Sequence, residues 1–310
     1  MRNIIGNVDI ALATYNGEKY LNILLDSLKN QVYQDFIVHI CDDGSTDSTI
    51  QICEKHSLYH ENKLIIHEKN GKNGAYHNFR RTLNYCNSDY IALCDQDDYW
   101  HPNKIERMLS EFKKIKNQQK PILIFSDLLL VDQNMKSLGK TFYNSTIKSL
   151  DCTSPIDFIF SNHIPGCSMF FNRELKEMFT PMPKNFPFHD WWIALCASFY
   201  GEIISIEECL ISYRQHDNNT VGIKPFEEQS IIRQIISLKR VMSTRAIYLS
   251  IKKVLLKHID SKEECEKTSK QLEVIDLYNK KKNIIEKIKL FYRAKTGENK
   301  LLSFLVWIIM

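Results

Sequence analysis

Three phosphate- and metal-handling signatures are missing from the 310 residues: there is no GxGxxG, no GxxxxGK[ST] and no HExxH. A nicotinamide dehydrogenase, a P-loop phosphotransferase and a zinc protease therefore lack the strings their chemistry needs. The nine cysteines are odd in number and never form a CxxC pair, which argues against a zinc site or a disulfide framework and for a reducing, cytoplasmic setting. Most sit in apolar runs such as YIALC and WWIALCASF, where a thiol is a small core hydrophobe. The N-terminal MRNIIGNVDIALATYNG has no basic start followed by a long apolar stretch, so no secretory signal is expected. The longest apolar run, LLSFLVWIIM, is about half the ~20 residues that a membrane-crossing helix requires. Net charge is only +4, too small an excess to call for nucleic acid.

What is present is an alternation of apolar β-rich runs and helical periodicity from Val8 to about Tyr90: VDIALA, YLNILLDSLKNQ, FIVHICDD, DSTIQICEKH, LIIHEKN, YHNFRRTLNYC, YIALCD. That order predicts βαβ units, with the strands covered on both faces. After Trp100, Pro102 is expected in the first turn of a helix over KIERMLSEFKKIK, and PILIFSDLLLV reads as another buried strand. Three strand ends carry polar clusters, Thr14-Tyr15-Asn16-Gly17, Asp42-Asp43-Gly44-Ser45 and Asp95-Gln96-Asp97-Asp98. Ligands in open α/β sheets bind at the carboxyl ends of strands, so these clusters predict one crevice.

The acids of DQDD are close enough along the chain that their repulsion asks for a bridging cation. Mg2+ or Mn2+, held by one or two carboxylates and completed by substrate phosphates, is the natural occupant; a solvated acidic turn capping the next helix is the other reading. In DDGSTD, Ser45 or Thr46 is expected to cap the following helix, leaving one aspartate for a ligand. Asp190 in HDWW reads either as a helix N-cap or as a carboxylate beside two tryptophans, themselves either core or sugar-stacking.

TYNGEKYL, DDGSTDST, NGKNGAYHN, DQDDYWHP, FSDLLLVD, GCSMFFN, HDWW and YRQHDNN occur in that order over roughly residues 8 to 222. In this the chain resembles the inverting, family 2 nucleotide-sugar glycosyltransferases with the GT-A fold, particularly the rhamnosyltransferase-like bacterial polysaccharide group. The resemblance implies an α/β, Rossmann-like mixed sheet flanked by helices over 1–225. It implies Thr14, Tyr15, Asn16, Glu18, Asp43, Gly74, Asn78 and Asp95 around a dTDP- or UDP-sugar. It further implies Asp97 and His216 at Mn2+ or Mg2+, and Asp190 as catalytic base. His216 also reads as an ordinary loop histidine. The acceptor would be a saccharide, lipid-linked, as in O-antigen or capsule synthesis. A sugar nucleotidyltransferase shares the substrate class, but TYNGEKYL stands where its glycine-rich loop would be; a non-catalytic nucleotide- or glycan-binding module would leave the acids idle.

Residues 226–310 hold 18 Lys+Arg against 10 Asp+Glu, a net of +8, leaving −4 for the rest. Their mixture of basic and apolar residues at helical intervals predicts a helical extension. It suits peripheral attachment to the anionic inner face of the cell membrane, or packing on the protein itself.

Overall fold

The computed structural model describes residues 7–146, 149–160, 162–183, 186 and 188–216. The extension expected over 226–310, with its membrane or packing role, lies outside the described residues.

The first half alternates as its periodicity dictates. Strand β1 (Val8–Thr14) is followed by α1 (Leu21–Lys29), β2 (Phe36–Asp42), α2 (Thr49–Lys55), a single turn α3 (Ser57–His60), β3 (Leu64–His67), α4 (Ala75–Leu83) and β4 (Tyr90–Asp95). Helix α1 buries Leu21, Leu24, Leu25 and Leu28, a stripe at i, i+3, i+4 and i+7 that seals the sheet. Then come β5 (Tyr99–Trp100), α5 (Lys104–Lys114), β6 (Ile122–Val131), β7 (Ser137–Thr141), α6 (Phe142–Ser145) and α7 (Pro155–Phe160). After a 3-10 turn, Gly166–Ser168, the described chain closes with β8 (Met169–Asn172), α8 (Arg173–Phe179), α9 (His189–Tyr200) and β9 (Glu202–Arg214).

Among the described residues the strands form one mixed sheet in the order β3-β2-β1-β4-β8-β6-β9-β5, with β7 alongside β6. The block β3-β2-β1-β4 is parallel. β8 is inserted antiparallel between β4 and β6, and β9 runs parallel to β6. Register sets the functional geometry. Thr14 of β1 stands beside Asp42 of β2, and Ala13 beside Asp95 of β4. The three polar strand ends are therefore level along one edge of the sheet.

Two local expectations are corrected. Pro102 lies in the turn before α5, whose N-cap is Asn103, because the His101 N–H and C=O are engaged by Leu210 and Lys104. Helix α2 begins after Ser48, and Asp47 rather than Ser45 or Thr46 accepts its Thr49 N–H at 3.0 Å. Ser45 is committed elsewhere, its hydroxyl donating to Asp42 at 2.6 Å. The cysteines follow the core expectation: seven of the eight described are buried, Cys209 is half-buried, and all are free thiols.

Candidate functional site

The crevice wall is built by the β1 and β2 ends. Asp42 accepts the Gly44 and Ser45 N–H groups at 2.8 and 2.7 Å, and the Thr14 hydroxyl at 2.8 Å. Four hydrogen bonds to one carboxylate fix the DDGS turn. Asn16, at φ +46, donates its N–H to the Ser45 hydroxyl and accepts the Thr46 N–H on its side chain. Glu18 accepts the Ser48 N–H at 3.0 Å and donates its own N–H to Asp47. The two loops are thus laced together, with the Tyr15 side chain 54% exposed at the crevice.

Asp43 is buried and already engaged. It pairs with the Arg81 guanidinium and accepts the Gly74 N–H. Gly74 caps α4 at φ +107, a left-handed conformation that favours glycine, and this aims its N–H at Asp43. Asn78 is buried one turn further on and donates to the Thr14 carbonyl at 3.1 Å. Thr14 and Asn78 therefore brace the wall from behind, while Tyr15, Asn16 and Glu18 remain exposed.

The acids of DQDD occupy different surroundings. Asp98 is fully buried and accepts the Arg214 N–H at 3.2 Å, while its carboxylate stays grouped with Asp95 and the Cys167 thiol, one ligand atom of each within 4.8 Å of the others. Burial first, then Asp97 and Asp95, push its carboxyl well above the usual range. Asp95 is raised to about 7 by burial, then by the charges of Asp97 and Asp190. Asp97 keeps 18% of its side chain exposed and its Oδ2 lies 2.7 Å from His216 Nε2. A carboxylate from the turn after β4 and an imidazole from the segment after β9, in direct contact and mostly buried, make an oxygen and nitrogen donor pair that could hold Mn2+.

Asp190 stands in the first turn of α9, two positions after the N-cap Phe188, and its Oδ1 accepts the Trp191 N–H at 2.8 Å. The start of α9 packs on the 3-10 turn before β8, where a Cβ at Gly166 would stand 3.4 Å from Asp190 Cβ. Trp191 and Trp192 are core residues: both are buried, and their indole N–H groups donate to the Phe158 and Phe179 carbonyls. Sugar stacking by either is excluded in this arrangement.

Several residues that complete the site escaped the motif reading. Gln96, the middle residue of Asp95-Gln96-Asp97, donates to the Tyr15 carbonyl and accepts the Tyr15 N–H, both at 2.9 Å. A Cβ at Gly17 would stand 2.4 Å from Gln96 Oε1, so the close approach requires glycine there. Lys104 is fully buried, 3.3 Å from the Trp100 ring centre, and donates to the Cys167 carbonyl. Burial pulls its ammonium down to about 8 against the pull of nearby carboxyls including Asp98 and Asp95. The one sequence signal for it is a cation in the first turn of a helix, where the dipole disfavours positive charge.

The family model described as glycosyl transferase family 2 matches residues 9–179. The chain is 28% identical over 224 residues to dTDP-rhamnosyl transferase RfbG of Shigella flexneri, covering 68% of this chain and 73% of that one. It superposes with a TM-score of 0.57 on Staphylococcus aureus TarS 1–349 in complex with UDP-GlcNAc, at 16% identity over 84% of this chain and 69% of that one. A mannosyltransferase from Pyrobaculum calidifontis in complex with GDP-Man and Mn2+ gives 0.52 at 15% identity, over 99% and 87%. Mixed sheet, flanking helices and strand-end acids thus belong to a GT-A glycosyltransferase, and the chain is a member of glycosyl transferase family 2.

Proposed function

We propose that this glycosyltransferase is metal-dependent and inverting, moving a sugar from a nucleoside-diphosphate donor to a saccharide hydroxyl in cell-surface polysaccharide synthesis. The observation that carries the reading is the Asp97–His216 contact at 2.7 Å.

In this reading Tyr15, Asn16 and Glu18 line the nucleoside from the β1 side. Gly74 closes the other side with Asp43, which exchanges part of its pairing with Arg81 for the base edge; Thr14 and Asn78 hold both walls. Asp95 faces the ribose. Asp97 and His216 hold Mn2+ or Mg2+, which when bound offsets charge on the departing diphosphate. Asp190 takes the proton of the acceptor hydroxyl as its oxygen bonds to the anomeric carbon opposite the breaking carbon–phosphate-oxygen bond. Configuration inverts and no covalent enzyme intermediate forms. General-base assistance of this kind contributes about 10²- to 10⁴-fold. The likeness to a dTDP-rhamnosyl transferase makes dTDP-rhamnose the first donor to try, followed by UDP-hexoses. The acceptor is a lipid-linked saccharide.

The test separates binding from chemistry. Asp190→Asn is expected to retain Mn2+-dependent nucleotide binding and lose transfer by at least 10²-fold. Asp97→Ala is expected to weaken binding of the nucleoside diphosphate itself. Wild-type turnover by Asp190→Asn would sink the base assignment. A donor panel scored by nucleoside-diphosphate release, with and without Mn2+, distinguishes this activity from a nucleotidyltransferase and from a module that only binds.

A further inference from the structure

Tyr20 is the last residue before α1, at the far end of the loop that begins with Thr14. Its ring is 8% exposed and carries two neighbours from the end of β9 and beyond. The Arg214 guanidinium carbon lies 4.3 Å from its ring centre, and the His216 imidazole 4.9 Å away at an interplanar angle of 34°. Arg214 is buried and ties this aromatic post to the DQDD turn. Its Nε donates to the Asp97 carbonyl at 2.7 Å, its backbone N–H to Asp98 at 3.2 Å, and its Nη1 to the Gln133 carbonyl at 2.9 Å. The same arginine therefore fixes the backbone of Asp97 and, two residues on, the starting point of His216.

We propose that Tyr20 and Arg214 are positioning residues that hold His216 against Asp97, so that the nucleoside loop and the metal-binding pair assemble as one unit. The inference rests on the assignment of Asp97 and His216 to a divalent cation. An imidazole on a strand-exit loop has rotamer and backbone freedom that weakens it as a ligand; a ring on one side and a fixed carbonyl anchor on the other remove that freedom before the metal arrives. The Tyr20 hydroxyl is buried with no hydrogen-bond partner among the described residues, so the ring face is the part of the side chain that acts. Planarity matters for Arg214 as well, since its guanidinium lies over the ring while Nε and Nη1 donate to two separate carbonyls, a fork that a compact ammonium does not reproduce.

The experiment is a Mn2+ titration of the full chain, read from the paramagnetic resonance signal of free Mn2+, with UDP and separately dTDP present, alongside thermal unfolding of each variant. Loss of an outer partner of a metal ligand typically weakens metal affinity 10- to 100-fold, so Tyr20→Leu and Arg214→Lys are each expected to raise the Mn2+ Kd at least about tenfold. Tyr20→Phe, which keeps the ring, is expected to stay within about twofold of wild type. Unaltered Mn2+ affinity in Tyr20→Leu and Arg214→Lys, whatever their melting temperatures, overturns the inference while leaving the metal assignment standing. Equal weakening in Tyr20→Phe and Tyr20→Leu also overturns it, because the hydroxyl would then be the active part. A wild-type chain that takes up no Mn2+ with either nucleotide overturns the metal assignment and this inference together. Should Tyr20→Leu fail to fold, Arg214→Lys against Tyr20→Phe decides.

Discussion

At the residue scale, the two neighbours Gln96 and Asp97 divide the labour of the DQDD turn. Asp97 meets His216, whereas Gln96 turns to the β1 loop and pairs with both polar groups of the Tyr15 backbone. Each such bond contributes about 0.5–1.5 kcal/mol net, and both act on a loop proposed to contact the nucleoside. Gln96→Ala is therefore expected to raise the donor KM several-fold with little change in kcat, the pattern of lost uniform binding. Gly17→Ala should do the same by a different route. Its Cβ meets the far end of a flexible side chain, so Gln96 swings aside and the melting temperature barely moves, but the pairing with Tyr15 is lost. The double variant is expected to be no worse than either single one, because the methyl then occupies the space Gln96 vacated. Additive losses in a donor KM series would show that Gly17 serves something other than this approach.

At the element scale, the parallel block is held by a polar contact at its buried start as well as by its apolar strands. Asp9 of β1 accepts the Asn87 and Ser88 N–H groups and lies 3.2 Å from His39 of β2, joining two strands and the loop before β4. Burial opposes its ionisation, but hydrogen bonds from His39 and Ser88 outweigh that cost and hold the carboxyl below the usual range. A depressed carboxyl stabilises the fold above the unfolded pKa, and the contribution is lost as pH falls through the folded one. Asp9→Asn is thus expected to cost about 1–3 kcal/mol near pH 7, with the gap to wild type closing below about pH 4 in a denaturant series run across pH. A gap that stays constant to pH 2 would make the contact one of shape alone. Elements of this kind were legible where the signal is local. The runs VDIALA, FIVHICDD and YIALCD became β1, β2 and β4 because continuous apolar text has few other uses. The antiparallel insertion of β8 was not legible, since four residues such as Met169–Asn172 carry no mark of which strands they join. The same holds at the site. Three acids in DQDD announce a polar strand end, but that Asp98 turns inward depends on Arg214, more than a hundred residues away. Trp191 and Trp192 read as core more readily than as sugar platforms, and the carbonyls of Phe158 and Phe179 that claim their indoles bear that out.

At the scale of the whole molecule, the charge is divided: −4 before residue 226 and +8 after it, with Lys and Arg interleaved among Ile, Leu, Phe and Tyr. Among the described residues no helix is long and apolar enough to cross a membrane. A lipid-linked acceptor would nevertheless confine the reaction to a membrane surface, and the basic segment offers the attraction that such confinement needs. Each Lys or Arg brought near an anionic leaflet contributes on the order of 1 kcal/mol, so engaging even a third of the 18 basic residues would suffice for stable adsorption at low salt. That attraction falls within a Debye length of about 10 Å at 0.1 M salt and about 3 Å at 1 M. The full chain is therefore expected to sediment with phosphatidylglycerol vesicles, to remain in the supernatant with phosphatidylcholine alone, and to be released as salt rises. A chain ending at residue 225 should not sediment with either. Co-sedimentation of the shortened chain would move the membrane contact into the catalytic part. Indifference of the full chain to lipid charge would assign the segment to packing on the protein instead.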